Sequence, residues 1–242
     1  MHQILITANQ DLAAPLFKST SVPSDKVLHL PLELFRYKSI KKESDYVLEH
    51  FSSYSFIIHG NLRNARFYVE WLHRNKAISD AQQIANLVLD KPTSEFLEQN
   101  KIPAIMPKKD AKPIDLLEFM IRISKEGISL YPSSKNKAEE MPGLLKELDM
   151  TVHEFVVCEE KQVSESTLDN YLAELSSASI DTVLFHNRSS VIRTLTAFPD
   201  LPYSSLKLVA GSNGAEKKME EEDLTADQKA NGTWKSIAEL LV

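Results

Sequence analysis

Short, uninterrupted apolar runs, each followed by turn residues and a longer amphipathic stretch, constrain this chain more than any other feature. The runs are ILIT (4–7), SFIIH (55–59), NLVL (86–89), ISLY (128–131), TVLF (182–185) and LKLVA (206–210). A strand with one solvated face alternates apolar and polar residues. A run without alternation fits a strand covered on both faces, as in a parallel sheet. Strand–helix alternation then requires βαβ units with helices on both sides, so the expected class is α/β, with parallel sheets flanked by helices.

The helices are legible. The pattern predicts one over 64–75 with Phe67, Val69, Trp71 and Leu72 on its apolar face, and another over 114–124 with Leu116, Leu117, Met120 and Ile121. A third spans 166–176 behind a Ser cap, with Leu168, Tyr171, Leu172 and Leu175. A fourth covers 142–148 with Pro142 near its start, and a last one runs over 233–241 with Thr233 as cap. The stretches 27–40 and 152–162 read as extended and are expected to pair as a two-stranded connection.

Parts of the chain echo one another. FIIHGNLRNARFYVEWL (56–72) is similar to VLFHNRSSVIRTLTAF (183–198), pairing His59 with His186. ILITANQDLAAPLF parallels ISLYPSSKNKAEEMPGLL, and LVLDKPTSEFL parallels LVAGSNGAEKK, pairing Asp90 with Gly211. The units recur at nearly constant spacing, which points to two similar α/β halves; any series of βα units also shares this pattern.

Composition excludes some functions. The 242 residues are 43% hydrophobic and 26% charged, which is ordinary for one large or two small globular domains. A net charge of −6 argues against a broad nucleic-acid surface. The single Cys158 excludes an intrachain disulfide framework and fits a reducing compartment. No secretory leader is visible, and no apolar run approaches the ~20 residues of a membrane span. A cytoplasmic monomer without nucleic-acid or membrane partners is expected. His153 with Cys158 does not match zinc spacing, so no metal is expected.

Loops that end a buried strand and open a helix can hold anions, because the first helical N–H groups are unpaired there. Those loops are 7–10, 59–64, 91–94, 133–137, 186–190 and 211–214. They supply the candidate binding residues Thr7, Asn9, His59, Gly60, Asn61, Arg63, Thr93, Ser133, Ser134, His186, Asn187, Arg188, Ser189, Gly211, Ser212 and Asn213. His59 and His186 lead as proton donors or direct contacts, since imidazole titrates near neutrality; the plainer reading makes them helix-start residues satisfying local backbone. Arg63 and Arg188 fit carboxylates or lie solvated. Thr93 fits a helix cap, Ser133 and Ser134 a turn, and Cys158 a core or linker position. The glycines at 211 and 214 lack the Lys-Ser/Thr ending of a phosphate-binding loop.

The order of these motifs resembles the uroporphyrinogen-III synthase family over nearly the whole chain. LITAN resembles its first strand, and YSFIIHGNLRNARFYVEWL its strand, Thr-Ser and helix element. LVLDKPTSEFLEQNKI resembles strand, Gly-x-x-Thr and helix, retaining Thr93. ISLYPSSKNKAEEMPGLLKELDMTVHEFVVCEE resembles the strand, loop, Leu-Pro helix and linker strand, and TVLFHNRSSVIRTL and LVAGSNGAEKKM the second copies. NGTWKSIAELL resembles the last helix.

The resemblance implies two HemD-like α/β domains joined by a two-stranded linker. The first would be discontinuous, 1–33 plus 157–242, with the second inserted at 38–152. It implies cyclisation of a linear tetrapyrrole, hydroxymethylbilane, to uroporphyrinogen III with inversion of the last ring, and no cofactor. The family's Thr-Ser pairs stand here as His59-Gly60 and His186-Asn187, its Arg as Ala8, its second Gly-x-x-Thr as Gly211 to Gly214, and its linker Tyr as Cys158. A catalytically degenerate relative that binds a tetrapyrrole or another polyanion is the alternative.

Overall fold

The computed structural model describes residues 2–17, 22–108, 112–123, 126–135 and 139–241. It separates into two compact units, Met1–Leu34 with Lys161–Val242, and Phe35–Glu160. The first opens with β1 (His2–Ile6), α1 (Gln10–Phe17) and β2 (Val27–His29). Strand β3 (Leu34–Tyr37) leads into the second, which continues with α2 (Lys41–Glu49), β4 (Tyr54–His59), α3 (Leu62–Asn75), the single turn α4 (Ile78–Ala81), β5 (Ala85–Val88) and α5 (Lys91–Gln99). It ends with β6 (Ala104–Ile105), α6 (Pro113–Ile123), β7 (Ile128–Lys135), α7 (Glu140–Glu147) and β8 (Val152–Lys161). The chain then completes the first unit with α8 (Glu165–Ser177), β9 (Ser179–Phe185), α9 (Arg188–Ala197), β10 (Lys207–Ala210), α10 (Asn213–Glu221), β11 (Gln228–Lys229) and α11 (Trp234–Leu240).

Each unit is built on one sheet. The first has the order β11-β10-β9-β1-β2, parallel throughout. The second has the order β6-β5-β4-β7-β8, parallel throughout, with β3 added beside β8. The two orders correspond strand for strand: β1 with β7, β9 with β4, β10 with β5. These are the pairs that the sequence echo joins. The chain order differs, because the second unit runs β4 to β8 continuously while the first is interrupted after β2. The first is a circular permutation of the second.

The apolar runs behave as their lack of alternation requires. On β4, Ile57 packs under Val47, Tyr68, Trp71 and Leu72, whereas Phe56 and Ile58 pack under Leu116, Leu117, Met120 and Met141. In the first unit, Leu5, Val183 and Phe185 face Val191, Ala215 and Met219, and Ile4, Ile6 and Leu184 face Ala13, Leu16 and Ile237. Helix α3 buries Ala65, Tyr68, Val69 and Leu72, one stripe at helical spacing. Asn61 caps its start, accepting from Asn64 N–H, and Lys76 ends it in the left-handed conformation.

Several expectations change. The stretch 27–40 is not one extended segment: 27–29 joins the first sheet beside β1, and 34–37 lies beside β8, with Lys38 N–H also donating to the Val157 carbonyl. Ser133 and Ser134 are not turn residues but buried members of β7. The helix expected from 166 is capped by Ser164, and Leu172 on its expected apolar face is exposed. Ser124, Asn136 and Lys137, within expected elements, lie outside the described residues.

Trp71 is the largest fully buried side chain; its indole N–H donates to Ser44 Oγ at 2.7 Å, and it packs against Phe155 with ring centroids 4.8 Å apart. Replacing it with Ala removes about 3–5 kcal/mol of stability in urea unfolding. Ile192→Ala on the exposed side of α9 stays within about 0.5 kcal/mol.

Candidate functional site at the carboxyl ends of the strands

In parallel α/β sheets, ligands collect where strands end and helices begin. Here α9 and α10 in the first unit, and α3 and α5 in the second, start immediately beyond β9, β10, β4 and β5. Each is capped by a side chain that takes one of the free amides: Asn187, Ser212, Asn61 and Asp90. Asn187 forms a capping box with Ser190, and Ser189, in the same first turn, is half-buried. Thr93 is not the cap. It lies inside the first turn of α5, fully buried, and its hydroxyl finds no partner among the described residues.

Alignment by these caps shifts the sequence echo by one residue. Asn61 corresponds to Asn187, so Gly60 is the counterpart of His186, and His59 of Phe185. Likewise Asp90 corresponds to Ser212 rather than to Gly211. A shift of one puts His59 at the last position of its strand and His186 one position beyond the end of its own, and both imidazoles are largely buried.

His59 ends β4 and is fully buried. Its Nε2 lies 3.0 Å from Asn86 Oδ1. Asn86 uses its amide hydrogens on the carbonyls of Ala81 and Ile84, so its oxygen must accept and the imidazole proton sits on Nε2. Burial pulls the ring down to about 4, against a smaller upward effect of the Asn86 bond. His59 is a neutral core residue, which corrects its reading as a direct contact or proton donor.

His186, one position past β9, is at the edge instead. Its Nε2 is 3.9 Å from Glu33 Oε2, and its ring stacks on Trp234 with centroids 6.0 Å apart. The other oxygen of Glu33 is 3.7 Å from the Arg193 guanidinium, and Asn9 Nδ2 donates to the Glu33 carbonyl at 3.0 Å. Thr7 is buried and shares a 2.8 Å hydrogen bond with Thr194. Gly211 touches the same cluster through backbone: a Cβ there would stand 2.7 Å from His186 Cα. Asn213, the first residue of α10, is exposed.

In the second unit the edge is closed by a glutamate. Asn61 Nδ2, Asn64 Nδ2 and the Tyr131 hydroxyl all donate to the Glu139 carboxylate, at 3.2, 2.7 and 2.6 Å. Arg63 lies 3.8 Å from the same carboxylate and covers the Phe35 ring at 4.1 Å. Arg63 is thus mostly buried and partnered, not solvated, whereas Arg188 is exposed and forms a two-pronged pair with Glu221. Burial, reinforced by Glu139, pushes the Tyr131 phenol well above its ordinary range, so it donates as a neutral hydroxyl. Ser134 Oγ lies 3.0 Å from Cys158 Sγ and donates to Asn64 Oδ1. Burial raises the Cys158 thiol, leaving it a structural residue without an activating base.

Glu33, Asn64, Tyr131, Glu139, Arg193 and Trp234 carry no motif and were not among the sequence candidates. Asn64 alone gives a signal, a polar residue on the buried side of α3. Among the described residues no group of His, Cys, Asp and Glu is arranged to hold a metal ion, and no helix is long and apolar enough to cross a membrane.

Parallel sheets clad in helices, with capped helix starts at the strand ends, define an α/β protein of the parallel-sheet class. The fold is similar to that of uroporphyrinogen-III synthetase from Helicobacter pylori 26695, with a TM-score of 0.72 and 15% identity over 99% of this chain and 98% of that one. It is also similar to a mutant uroporphyrinogen III synthase from the extremely thermophilic bacterium Thermus thermophilus, with a TM-score of 0.59 and 10% identity over 99% and 97%. The family model of uroporphyrinogen-III synthase HemD matches residues 26–233, and the chain belongs to that family. No curated protein sequence matches it.

Two outcomes follow from the two environments. Unfolded His59 takes up a proton near pH 6.5, but the folded ring resists until about 4. The unfolded state therefore binds more protons between these values, and stability falls as pH is lowered from 6.5 toward 4. Between pH 7 and 5 this amounts to about 2 kcal/mol, and His59→Gln removes that part of the pH dependence of urea unfolding. Gly60→Ala places a methyl 2.0 Å from the Tyr131 hydroxyl, so the Tyr131–Glu139 bond breaks. The expected cost is about 1–3 kcal/mol, checked by thermal melting.

Proposed function

We propose that the chain is a uroporphyrinogen-III synthase, closing hydroxymethylbilane to uroporphyrinogen III with inversion of the terminal pyrrole and loss of water. The observation that carries this reading is the family match across residues 26–233. In this reading the units act as two domains joined by the chain segments at β3 and β8, and each, taken by itself, offers the helix starts at the carboxyl edge of its own sheet to substrate carboxylates. The candidates for carboxylate contacts are Asn61 and Arg63 in the second unit and Asn9, Asn187, Arg188, Ser189, Ser212 and Asn213 in the first.

The reaction needs no resident cofactor. The hydroxyl leaves as water when protonated or strongly hydrogen-bonded, giving an electrophilic azafulvene. The substituted pyrrole carbon attacks it, and the spiro product fragments and recloses. Unguided closure gives the uninverted ring, so holding the chain ends in a near-attack arrangement is the protein's main task. His186 is the side chain proposed to assist departure, since its Nε2 lies 3.9 Å from the Glu33 carboxylate and its ring stacks on Trp234. A second reading, binding without turnover, draws support from Glu139, which fills the second unit's edge.

Purified protein given freshly generated hydroxymethylbilane is expected to yield mainly the inverted isomer, read by chromatography of the oxidised porphyrins. Only the uninverted isomer would remove the synthase reading, and tight binding without turnover would select the second. His186→Gln is expected to slow ring closure about 10²-fold while leaving the unfolding midpoint nearly unchanged. His59→Gln is expected to do the reverse.

A further inference from the structure

We propose that the pocket of Asn61, Asn64, Arg63 and Tyr131 is a carboxylate-binding subsite, and that Glu139 is its resident placeholder, displaced when a ligand carboxylate arrives. The chemical class of the ligand group rests on this pocket alone; its identity as a tetrapyrrole side chain rests on the function proposed above.

The pocket has the chemistry of a receptor rather than of a chance ion pair. Two side-chain amides, one phenol and one guanidinium converge on a single carboxylate, and they approach both oxygens: Asn64 and Arg63 on Oε1, Asn61 and Tyr131 on Oε2. All four groups are held independently of it. Asn61 caps α3 through Oδ1, Asn64 also donates to the Pro132 carbonyl and accepts from Ser134, Tyr131 is fixed in β7, and Arg63 lies on Phe35. Gly60 is required for the Tyr131 hydroxyl to stand where it does. The pocket is at the start of a long helix and at the carboxyl ends of β4 and β7, where this fold receives anions.

Glu139, in contrast, comes from outside that framework. It is the N-cap residue of α7, but its side chain accepts no cap hydrogen bond there, and among the described residues its carboxylate's hydrogen bonds go to the pocket. Seated there, its carboxylate places a negative charge beside the Arg63 guanidinium. It also competes with an incoming acid, so the apparent affinity is reduced by the fraction of time that Glu139 is seated.

The test uses the full chain with Glu139→Ala, which removes the atoms of one acetate, and Glu139→Gln, which keeps the shape without the charge. Thermal melting of Glu139→Ala is expected to rise by about 3 °C in acetate over equal chloride, with wild type unmoved. Adding Tyr131→Phe should abolish that rise. Uroporphyrin III, the stable oxidised octacarboxylate, should bind Glu139→Ala about tenfold more tightly than wild type by fluorescence, with Glu139→Gln in between. Equal effects of acetate and chloride would overturn the subsite. Unchanged or weaker uroporphyrin binding by Glu139→Ala, in a protein that acetate rescues and wild type that binds, would overturn the placeholder. Acetate rescue with no uroporphyrin binding by any form would uphold the carboxylate subsite and remove the tetrapyrrole reading instead.

Discussion

A parallel sheet must be covered on both faces, because its strands are joined by crossovers that lay helices on each side. Everything in this molecule follows from meeting that requirement twice. The run YSFIIH sends Ile57 under α3 and Phe56 and Ile58 under α6 and α7, and VLF at 183–185 does the same between α9 with α10 and α1 with α11. Once the strands are parallel, their carboxyl ends share one edge and the helices starting there turn their free amides toward it. The site's location is thus a consequence of how the cores are buried.

That edge is electropositive by construction, and both units answer it with their own carboxylates. Glu33 stands between His186 and Arg193, and Glu139 among Asn61, Asn64, Arg63 and Tyr131. Buried charge is tolerated only when compensated. Both glutamates meet that condition, Glu33 as a buried residue just before β3 and Glu139 at the start of α7.

Some of the site was legible and some was not, for a definite reason. Helix starts after buried strands are written locally: Asn61, Asn187, Ser212 and Thr233 cap the helices that the patterns announce. Glu33 and Glu139 were invisible, since a lone glutamate in a polar or mixed stretch gives no periodic or motif signal. The likeness of His59 and His186 was real in the letters and misleading in space. The caps reveal a one-residue offset that leaves the first in the core beside Asn86 and the second at the edge beside Glu33.

Sequence by itself determined the class of fold, the parallel character of the sheets, the helices with their caps, and the family likeness. These depend on burial patterns and neighbouring residues, which are local. Tertiary structure alone decided which strand-end residue faces the core, that Ser133 and Ser134 lie within a strand, and that Glu139 occupies the start of α3. Those outcomes depend on register and on contacts between residues far apart in the chain, and a side-chain period of two makes a single step of register reverse the environment.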